Sequence, residues 1–362
     1  MAELIIDLSK LQHNLEVIQA LCMRHRLDLM AVAKGCNGFL PIIRLFQKCG
    51  VSNVGFSRLA DAIKAAPVFA RRPCFISIPS PGQTEAIVQH FGSSLHSELL
   101  TIQAAAAAAE RTSQSHGIIL MTDIGDLREG VEPGEVVPTV RAILEMRSPL
   151  IELWGLGGTL GCCSGTLPDA RNLGLLEELA LETERCTGHS IKTLSIGGSV
   201  IIPWIEKGLL PSRINQVRMG EAILLGTIPA LGQRHEALFS DVFLLRGTVL
   251  EAREKPSMPT GRQGRDAFGQ AQTFTDQGRR LRCILDFGIL DTYPKGLTPV
   301  MAGLEFINSN SDYTIIDATA TARKWKPGDS MDFIMNYQAL IRAFHSPHLR
   351  ATVADDGLTG VA

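Results

Sequence analysis

An alternation of two hydrophobic patterns through about the first 230 residues constrains the fold more than any other feature of this sequence. Short apolar runs rich in Val, Ile and Leu predict buried strands, and the stretches between them carry apolar residues at helical spacing. One such stretch has Leu11, Leu15, Ile18 and Cys22 on one face and the candidate N-cap Ser9 at its start. The predicted strands are Leu29–Ala33, Val51–Phe56, Cys74–Ile78, Ile118–Met121, Ile151–Gly155, Thr193–Ile196 and Val217–Leu225, with a weaker one at Ser94–Leu100.

Strands that alternate with helices in this way predict a parallel sheet. About eight such units is the number expected of a (β/α)8 TIM-type barrel, and periodicity alone leaves an open doubly wound sheet as the alternative. After residue 235 the pattern changes to strands separated by turn signals such as Lys326–Asp329. These later strands are Val242–Leu250, Leu281–Phe287, Tyr313–Ala318 and Met331–Met335. We therefore expect an α/β chain with a barrel over residues 1–232 and a smaller β-rich domain over residues 233–362, and the first residues are open to joining the second domain.

Two segments of the second half lack a clear hydrophobic pattern. Glu254–Arg280 is rich in Gly, Gln and Arg, and a loop of that length is uncommon unless it is functional or disordered. We expect this loop to cover a site, with Asp266 and Phe268 as its contacts. The last dozen residues predict a loose tail.

The composition excludes several classes of protein. Of the 362 residues, 45% are hydrophobic and 20% are charged, as in ordinary globular domains. Lys and Arg number 35 against 37 Asp and Glu, a near-neutral balance that argues against nucleic-acid binding as the main function. The first ten residues do not resemble a signal peptide, and no run of about 18 apolar residues predicts a membrane span. The eight cysteines show neither CxxC nor zinc spacing, so we expect reduced thiols, no metal site and a cytoplasmic protein.

Lys34 is the first residue that indicates chemistry, because it ends the apolar run Leu29–Ala33. In a parallel barrel the carboxyl ends of the strands face the active site. A lysine held there is partly desolvated, which lowers its pKa and suits it to forming a Schiff base. A surface lysine just past a strand is the alternative, and position alone does not separate the two.

Three further features follow apolar runs in the same way. Ser195–Ser199 contains a Gly-Gly-Ser turn whose amides and hydroxyls suit an anion such as phosphate, although such turns are common without a ligand. Arg218 lies in Val217–Ala222 at a strand end beside a glycine, and Arg128 lies in a similar setting in Asp123–Gly130. An ion pair with a neighbouring acid is the alternative role for each arginine.

Taken together in chain order, these residues resemble the alanine racemase-like (fold type III) pyridoxal-phosphate enzymes, and more closely the ornithine racemase-like amino-acid racemases. The resemblance runs from about residue 4 to about residue 350. It implies that Lys34 binds pyridoxal 5'-phosphate covalently and acts as a catalytic base. It also implies that Arg218 faces the pyridine nitrogen and that Arg128 is a catalytic residue near the lysine and the cofactor's phenolic oxygen.

The resemblance further implies a phosphate site made by Ser199 and by the amides around Gly220 and Glu221. Leu127–Gly130, Gly220–Gly226 and Asp266–Gly269 look like the ornithine-racemase branch in particular. The implied function is racemisation of an amino acid by removal and return of its α-proton, on ornithine or lysine. Decarboxylation or aldol cleavage on the same fold, and a non-catalytic carrier of the cofactor, remain as alternatives. The β-rich domain argues against the carrier, since single-barrel carriers in this superfamily lack one.

The sequence departs from the alanine-racemase pattern at two tyrosines. Ile289, within Phe287–Pro294, stands where a tyrosine of the partner subunit acts as second base, and Gly38 stands where another tyrosine lies near the phosphate. Alanine is thus a doubtful substrate, and the acid–base group for the opposite face is unassigned. Its candidates are Tyr293, Tyr337, Cys162 and Asp291.

Four acids are candidates to bind a side-chain ammonium of the substrate, and solvated surface acids are the alternative for each. They are Glu221, Asp266, Asp291 and Asp312, of which Asp291 and Asp312 are the predicted substrate-binding residues. Asp312 matches an aspartate of the family's entrance loop, Asn308–Asp312. The resemblance also implies a head-to-tail homodimer in which the second domain of one subunit completes the partner's site.

Overall fold

The structure of the chain is a computed structural model that describes residues 1–69, 71–266 and 268–354. It divides into two compact units: Ser9–Phe239, and Met1–Leu8 together with the residues from Ser240 onward. The division falls after Phe239, whereas the sequence analysis places it after residue 232. The reason is a short antiparallel pair, β10 (Thr227–Ile228) with β11 (Gln233–Arg234), which joins residues on both sides of the expected boundary.

Within the described residues, the first unit is a closed barrel of eight parallel strands. The strands are β2 (Asp28–Val32), β3 (Asn53–Phe56), β4 (Cys74–Phe75), β5 (Ser93–His96), β6 (His116–Met121), β7 (Ile151–Thr159), β8 (Thr193–Gly197) and β9 (Gln216–Met219). The last strand pairs with the first, with Met30 opposite Arg218. This pairing confirms the predicted barrel and excludes the open doubly wound sheet.

Helices follow the barrel strands and cover the outside of the sheet. They are α1 (Leu8–Arg24), α2 (Leu40–Lys48), α3 (Leu59–Ala65), α4 (Thr84–His90), α5 (Leu99–Thr112), α6 (Val136–Glu145), α7 (Ala170–Thr187), α8 (Ile202–Glu206) and α9 (Glu221–Leu225). The predicted apolar face of α1 is buried, with Leu11, Leu15, Ile18 and Cys22 each almost inaccessible. The predicted N-cap is wrong, because α1 begins one residue before Ser9.

Two predicted strands are shorter than expected, because the last residues of each predicted apolar run belong to a helix. Val217–Leu225 was expected to be one strand, but β9 ends at Met219 and α9 occupies Glu221–Leu225. Gly220 makes the break with φ −132° and ψ −61°, between strand and helix values. Ser94–Leu100 likewise ends as a strand at His96, and α5 begins at Leu99. Apolar runs buried on all sides do not reveal such a change of period.

The second unit is β-rich, as predicted, and its described residues form an eight-stranded sheet with one helix, α10 (Tyr337–His345). The strands are β1 (Glu3–Ile6), β12 (Phe243–Pro256), β13 (Arg279–Leu285), β14 (Leu297–Pro299), β15 (Glu305–Ser309), β16 (Thr314–Asp317), β17 (Ser330–Met335) and β18 (Arg350–Val353). The long strand β12 pairs with β1, β13 and β17 and so connects the sheet.

Two expectations for this unit are corrected. The loop predicted at Glu254–Arg280 is shorter, because β12 runs to Pro256 and β13 begins at Arg279, with Pro256 opposite Arg279. The predicted loose tail is wrong for its first three residues, 351–353, which belong to β18 and pair in parallel with β1. Residues 355–362 of that tail lie outside the described residues, as does Ala267 of the segment Asp266–Gly269.

No helix in the described part of the chain is long and apolar enough to cross a membrane. All eight cysteines are described, and each is free.

Candidate active site

Lys34 lies directly beyond β2, where the first loop leaves the carboxyl end of the barrel. Its position is fixed by a 3₁₀ turn, Lys34–Cys36, and by Asn37 and Gly38, which both have left-handed backbone (φ +49° and +59°). A Cβ at Gly38 would lie 2.7 Å from the carbonyl oxygen of Asp61. The close approach of this backbone explains why Gly38, rather than the tyrosine of the resembled family, stands here.

The amine of Lys34 is electrostatically unusual. Part of the side chain is accessible to solvent, but the protein atoms around the ammonium desolvate it, and this lowers the pKa of Lys34. The charge of Arg128 acts in the same direction, while Cys162, Glu129 and Glu221 oppose it. A lowered pKa increases the fraction of neutral amine, which is the nucleophilic form.

Arg128 joins two loops at the carboxyl end of the barrel. Its Nε and Nη2 bind the carboxylate of Glu129, its Nη1 donates to Cys162 Sγ at 2.9 Å, and its Nη2 also donates to Thr159 Oγ1 at 3.1 Å. Burial by itself lowers the pKa of Arg128, but the contacts with Glu129 and Cys162 outweigh it, so that the pKa is raised. Arg128 therefore forms the ion pair with a neighbouring acid that was its alternative role, here with Glu129. The same guanidinium also contacts the thiol of Cys162 and the hydroxyl of Thr159, the last residue of β7.

Arg218 is buried inside the barrel on β9. Its Nη1 donates to the carbonyl and hydroxyl oxygens of Ser195 (3.0 and 2.7 Å), and its Nη2 donates to Gly158 O (2.9 Å) and Thr159 Oγ1 (3.0 Å). In the part of the chain that the structure describes, these bonds leave Nε without a protein acceptor, and Arg218 forms no ion pair with Glu221. Burial lowers the pKa of Arg218 to about 10, so the guanidinium stays charged at neutral pH.

Thr159 connects the two arginines, since its hydroxyl accepts from both guanidinium groups. Sequence reasoning missed this residue because the predicted strand ended at Gly155, whereas β7 continues to Thr159. The sequence signal for this residue is Gly157-Gly158-Thr159. In it a polar residue follows two glycines, and glycine allows other atoms to approach the backbone closely. A Cβ at Gly158 would lie 2.6 Å from the side chain of Ile124.

The predicted phosphate residues lie together at the start of α9. Ser199 Oγ accepts from the amide of Ala222 at 3.0 Å, and the amide of Gly198 donates to Arg218 O at 3.0 Å. Gly198 has φ +108°, which a side chain would disfavour. Burial raises the pKa of Glu221 to about 6, although the hydroxyl of Thr227 and the charge of Lys34 act to lower it.

Asp126 organises the loop that carries Cys162. Its carboxylate accepts from the amides of Cys162 (3.2 Å) and Cys163 (3.0 Å) and from Ser164 Oγ (3.0 Å). Oxygen and sulfur atoms of Asp126, Cys162 and Cys163 lie within 4.8 Å of one another, a spacing that would suit a metal ion. Because both carboxylate oxygens already accept hydrogen bonds and Arg128 lies on the Cys162 sulfur, the arrangement favours hydrogen bonding over coordination.

The predicted substrate-binding acids belong to the second unit, and the structure gives them different roles. Asp291 is buried, and its carboxylate accepts from Gly288 N (3.0 Å) and Ser346 Oγ (3.2 Å). Asp312 is exposed in a turn in which its amide donates to Asn310 Oδ1 at 2.9 Å.

The other segments predicted to face the site also lie in this unit. The amide of Ile289 donates to Asn310 O at 2.9 Å, so the segment that carries Ile289 runs beside the predicted entrance loop. Asp266 accepts from the amides of Phe268 and Gln270 at 2.9 and 2.8 Å and so caps its own loop. The ring of Tyr293 lies 5.7 Å from the guanidinium of Arg342, and Tyr337 begins α10.

A closed parallel barrel with a strand-end lysine, a buried arginine and a nearby hydroxyl and amide cluster defines a recognisable class. The sequence profile described as alanine racemase, N-terminal domain, matches residues 6–227, and the chain belongs to this family. The chain is 32% identical over 345 residues to the ornithine racemase of Acetoanaerobium sticklandii, covering 95% of this chain and 97% of that protein. It is 30% identical over 346 residues to the lysine racemase of Thermotoga maritima, covering 95% and 96%.

Solved structures share the fold at low sequence identity. The alanine racemase of Bartonella henselae with covalently bound pyridoxal phosphate is 16% identical, with a TM-score of 0.72 over 98% of this chain and 99% of that one. The D-threonine aldolase of Filomicrobium marinum is 14% identical, with a TM-score of 0.74 over 99% and 92%. The fold is thus shared by proteins named for different reactions, and the choice between those reactions depends on the site.

Proposed function

We propose that this chain is a pyridoxal 5'-phosphate-dependent amino-acid racemase whose substrate is ornithine or lysine. The observation that carries the proposal is that Lys34 and Arg218 lie on neighbouring parts of the barrel. Lys34, with its lowered pKa, follows β2, and Arg218, buried and charged, lies on β9, the strand that pairs with β2. The identities to an ornithine racemase and a lysine racemase over nearly the whole chain support the reaction and the substrate class.

The side chains present fit that cofactor. Lys34 offers an amine for its aldehyde, and Arg218 Nε is a donor without a protein acceptor that suits a ring nitrogen. Ser199 and the backbone at Gly220 and Glu221 suit a phosphate, since glycine lets the backbone come close: a Cβ at Gly220 would lie 3.1 Å from Val32. A charged guanidinium at the ring, rather than a carboxylate, keeps the ring nitrogen unprotonated.

When bound, pyridoxal phosphate withdraws electrons from the α-carbon of an attached amino acid and so makes its proton easier to remove. Lys34 holds the cofactor and then exchanges the α-proton on one face, for which its lowered pKa suits it. Arg218 orients the ring and limits charge at its nitrogen. Arg128 holds Glu129, Thr159 and Cys162 in one arrangement beside Lys34.

Acidic side chains also support ornithine or lysine, which carry a second ammonium group, as the proposed substrate. Glu221 is a half-buried acid whose charge acts on Lys34, and a second ammonium on the substrate would stabilise its carboxylate. Asp312 is exposed and available to a cation, whereas Asp291 and Asp266 already accept hydrogen bonds from their own loops. We therefore weigh Asp312 above Asp291 and Asp266 as a substrate ligand. Glu221 also accepts a hydrogen bond, from Thr227, and we retain it because its charge acts on Lys34.

We further propose a homodimer in the cytoplasm, in which the second unit of one subunit completes the site of its partner. The support is the resemblance of Phe287–Pro294 and Asn308–Asp312 to the segments that do this in the alanine-racemase family, together with their pairing in one loop cluster. Sedimentation should give the mass of two chains. A monomer that is fully active would exclude shared sites.

The test of the proposed function is to supply purified, cofactor-loaded protein with single enantiomers of ornithine, lysine, serine and alanine. Chiral chromatography should show D/L interconversion, fastest with ornithine or lysine. Fastest turnover of alanine would exclude the diamino-acid assignment. Release of an amine and carbon dioxide would indicate a decarboxylase, release of an aldehyde from a β-hydroxy amino acid would indicate an aldolase, and cofactor binding without turnover would indicate a carrier.

A further inference from the structure

Racemisation needs a second acid–base group, because a proton taken from one face of the α-carbon must be returned from the other. In the first unit, the groups whose charges act on Lys34 are Cys162, Arg128, Glu129 and Glu221. Arg128 stays protonated, and Glu129 is bound by that arginine. Glu221 is bound by Thr227 at 2.9 Å. Cys162 is the remaining group, and a thiol transfers protons at neutral pH.

The geometry points to Cys162 as this second acid–base group, a role that rests on the proposed function and completes it. Cys162 lies three residues beyond the end of β7, at the same end of the barrel as Lys34, and its side chain is accessible to solvent. Arg128 Nη1 donates to its sulfur at 2.9 Å. The guanidinium therefore places a positive charge and a hydrogen-bond donor directly on the sulfur.

The loop around Cys162 is held in place independently of any ligand. Asp126, itself buried, accepts from the amides of both Cys162 and Cys163 and so fixes the backbone of the pair. Gly161 begins this loop with φ +66°, and its amide donates to Thr166 O at 2.9 Å. A proton-transfer group must be held in place in this way to be efficient.

The proton balance of the step needs no further reactant. In one direction Lys34 takes the α-proton from its face, and the S–H bond of Cys162 breaks as a C–H bond forms on the opposite face. In the other direction the Cys162 thiolate takes the proton, and the ammonium of Lys34 returns one. Each turnover leaves the two groups with their protonation exchanged, and solvent restores them.

Cys163 provides a matched control next in the chain. It is also an exposed thiol, but Arg128 Nη1 donates to the sulfur of Cys162 instead, and the pKa of Cys163 is raised by desolvation and by the neighbouring Cys162 sulfur, against the opposing charge of Arg128. A serine at either position keeps the size and the hydrogen-bonding capacity of the side chain, but its hydroxyl does not ionise near neutral pH. The variants Cys162→Ser and Cys163→Ser therefore differ only in which thiol is removed.

The experiment measures inversion of the best amino-acid substrate and, separately, exchange of its α-hydrogen in deuterated water. We expect Cys162→Ser to slow inversion by about a hundredfold or more while exchange on the face served by Lys34 continues within about threefold of the wild type. Cys163→Ser should change neither rate by more than about threefold. Wild-type inversion by Cys162→Ser would overturn the proposal, and so would an equal loss of inversion and exchange, since that marks a merely structural role.

A second measurement uses the protein freed of cofactor and does not depend on turnover. Iodoacetamide should alkylate Cys162 faster than Cys163, and Arg128→Met should slow alkylation of Cys162 by about tenfold, because it removes the charge that favours the thiolate. An equal rate at the two cysteines, or no effect of Arg128→Met, would overturn the role of Arg128. A wild-type protein that neither inverts nor exchanges any amino acid contradicts the proposed function instead, and this alkylation test still reports on the thiol.

Discussion

Two polar clusters in the barrel unit reach opposite protonation states. The mouth cluster comprises Lys34, Arg128, Thr159, Cys162 and Arg218, and the histidine cluster comprises Ser94, His96, Thr101 and His116. The mouth cluster keeps cationic groups, because Arg218 remains charged with a pKa of about 10. In the histidine cluster, burial lowers the pKa of His96 to about 3 and that of His116 to about 4, so both rings are neutral at neutral pH.

The two clusters differ in how many of their hydrogen-bonding atoms have a partner within the protein. Ser94 Oγ lies 2.7 Å from Nε2 of both His96 and His116. The other ring nitrogens lie 2.8 Å from Thr101 Oγ1 and 3.1 Å from Phe91 O, so every ring nitrogen has a protein partner. In the mouth cluster, Arg218 Nε has no acceptor among the described residues, and Cys162 is open to solvent.

A perturbed pKa therefore does not by itself mark a functional site in this molecule. The histidine cluster also has strongly lowered pKa values, but it lies between β5, β6 and α5 with all its ring nitrogens hydrogen-bonded. The mouth cluster lies beyond the carboxyl ends of the strands, where barrel enzymes place their active sites, and it retains unused donors. The mouth cluster thus differs from the histidine cluster in its position at the carboxyl ends of the strands and in having donors without a protein acceptor.

The largest effect should come from Lys34→Ala. We expect turnover to fall by on the order of a thousandfold or more, because the proposed function assigns to Lys34 both the covalent link to the cofactor and one acid–base group. The cofactor should also be lost on dialysis, which absorbance of the dialysed protein measures. Lys192→Ala is the control, since Lys192 is an exposed lysine paired with Glu152 at 2.7 Å. Cofactor that stays covalently bound in Lys34→Ala would place the attachment on another lysine.

The features of the mouth cluster that were predictable from sequence are those that follow apolar runs. Lys34 and Arg218 were predictable because each lies at or beyond the end of a buried strand, and the barrel followed from the spacing of those strands. Thr159 was missed, because the length of β7 depends on pairing with β8 as far as Gly197 and the apolar run alone ends earlier. The histidine cluster was not predictable either, since its members are brought together by packing of α5 on the sheet rather than by any local pattern.

The sequence of the second unit was less informative. β1 and β18 were missed because each has only four residues and pairs with strands far away in the sequence, β1 with β12 and β18 with β1. The long loop was overestimated, because Arg279 and Arg280 are polar residues of a strand whose pairing with β12 the hydrophobic pattern does not report. Asp291 and Asp312 look alike in the sequence. Only the fold shows that Asp291 is buried and accepts hydrogen bonds from the protein, whereas Asp312 is exposed to solvent.

The histidine cluster should control stability rather than activity. Both histidines have a folded pKa below the ordinary value of 6.5, so the unfolded chain binds more protons between pH 6.5 and 4, and stability falls as the pH falls through that range. Between pH 6.5 and 5 each histidine should contribute a loss of about 2 kcal/mol, from 1.5 pH units at 1.36 kcal/mol per unit. Chemical denaturation of the wild type, His96→Gln and His116→Gln at pH 7 and pH 5 measures this loss.

Each single variant should show a smaller difference in stability between the two pH values, because one of the two titrating rings is gone. Both variants should retain racemisation at pH 7.5, when compared at equal folded fraction. If the variants keep the pH dependence of the wild type, the rings are not neutral in the folded protein. If they lose activity while folded, the division between a structural and a functional cluster is wrong.

The smallest effect should come from a pair of glycines, Gly197 beside the mouth cluster and Gly174 within α7. A Cβ at Gly197 would lie 2.5 Å from Arg218 Nη2 and 3.2 Å from Thr159 Oγ1, so Gly197→Ala must displace the guanidinium. We expect activity to fall by about tenfold and stability by about 1 kcal/mol. A Cβ at Gly174 meets nothing within 4 Å among the described residues, so Gly174→Ala should raise stability by about 0.5–1 kcal/mol and leave activity unchanged. If both variants gained stability and kept full activity, Arg218 would tolerate displacement, and its hydrogen bonds to Gly158 and Thr159 would not be needed to position it.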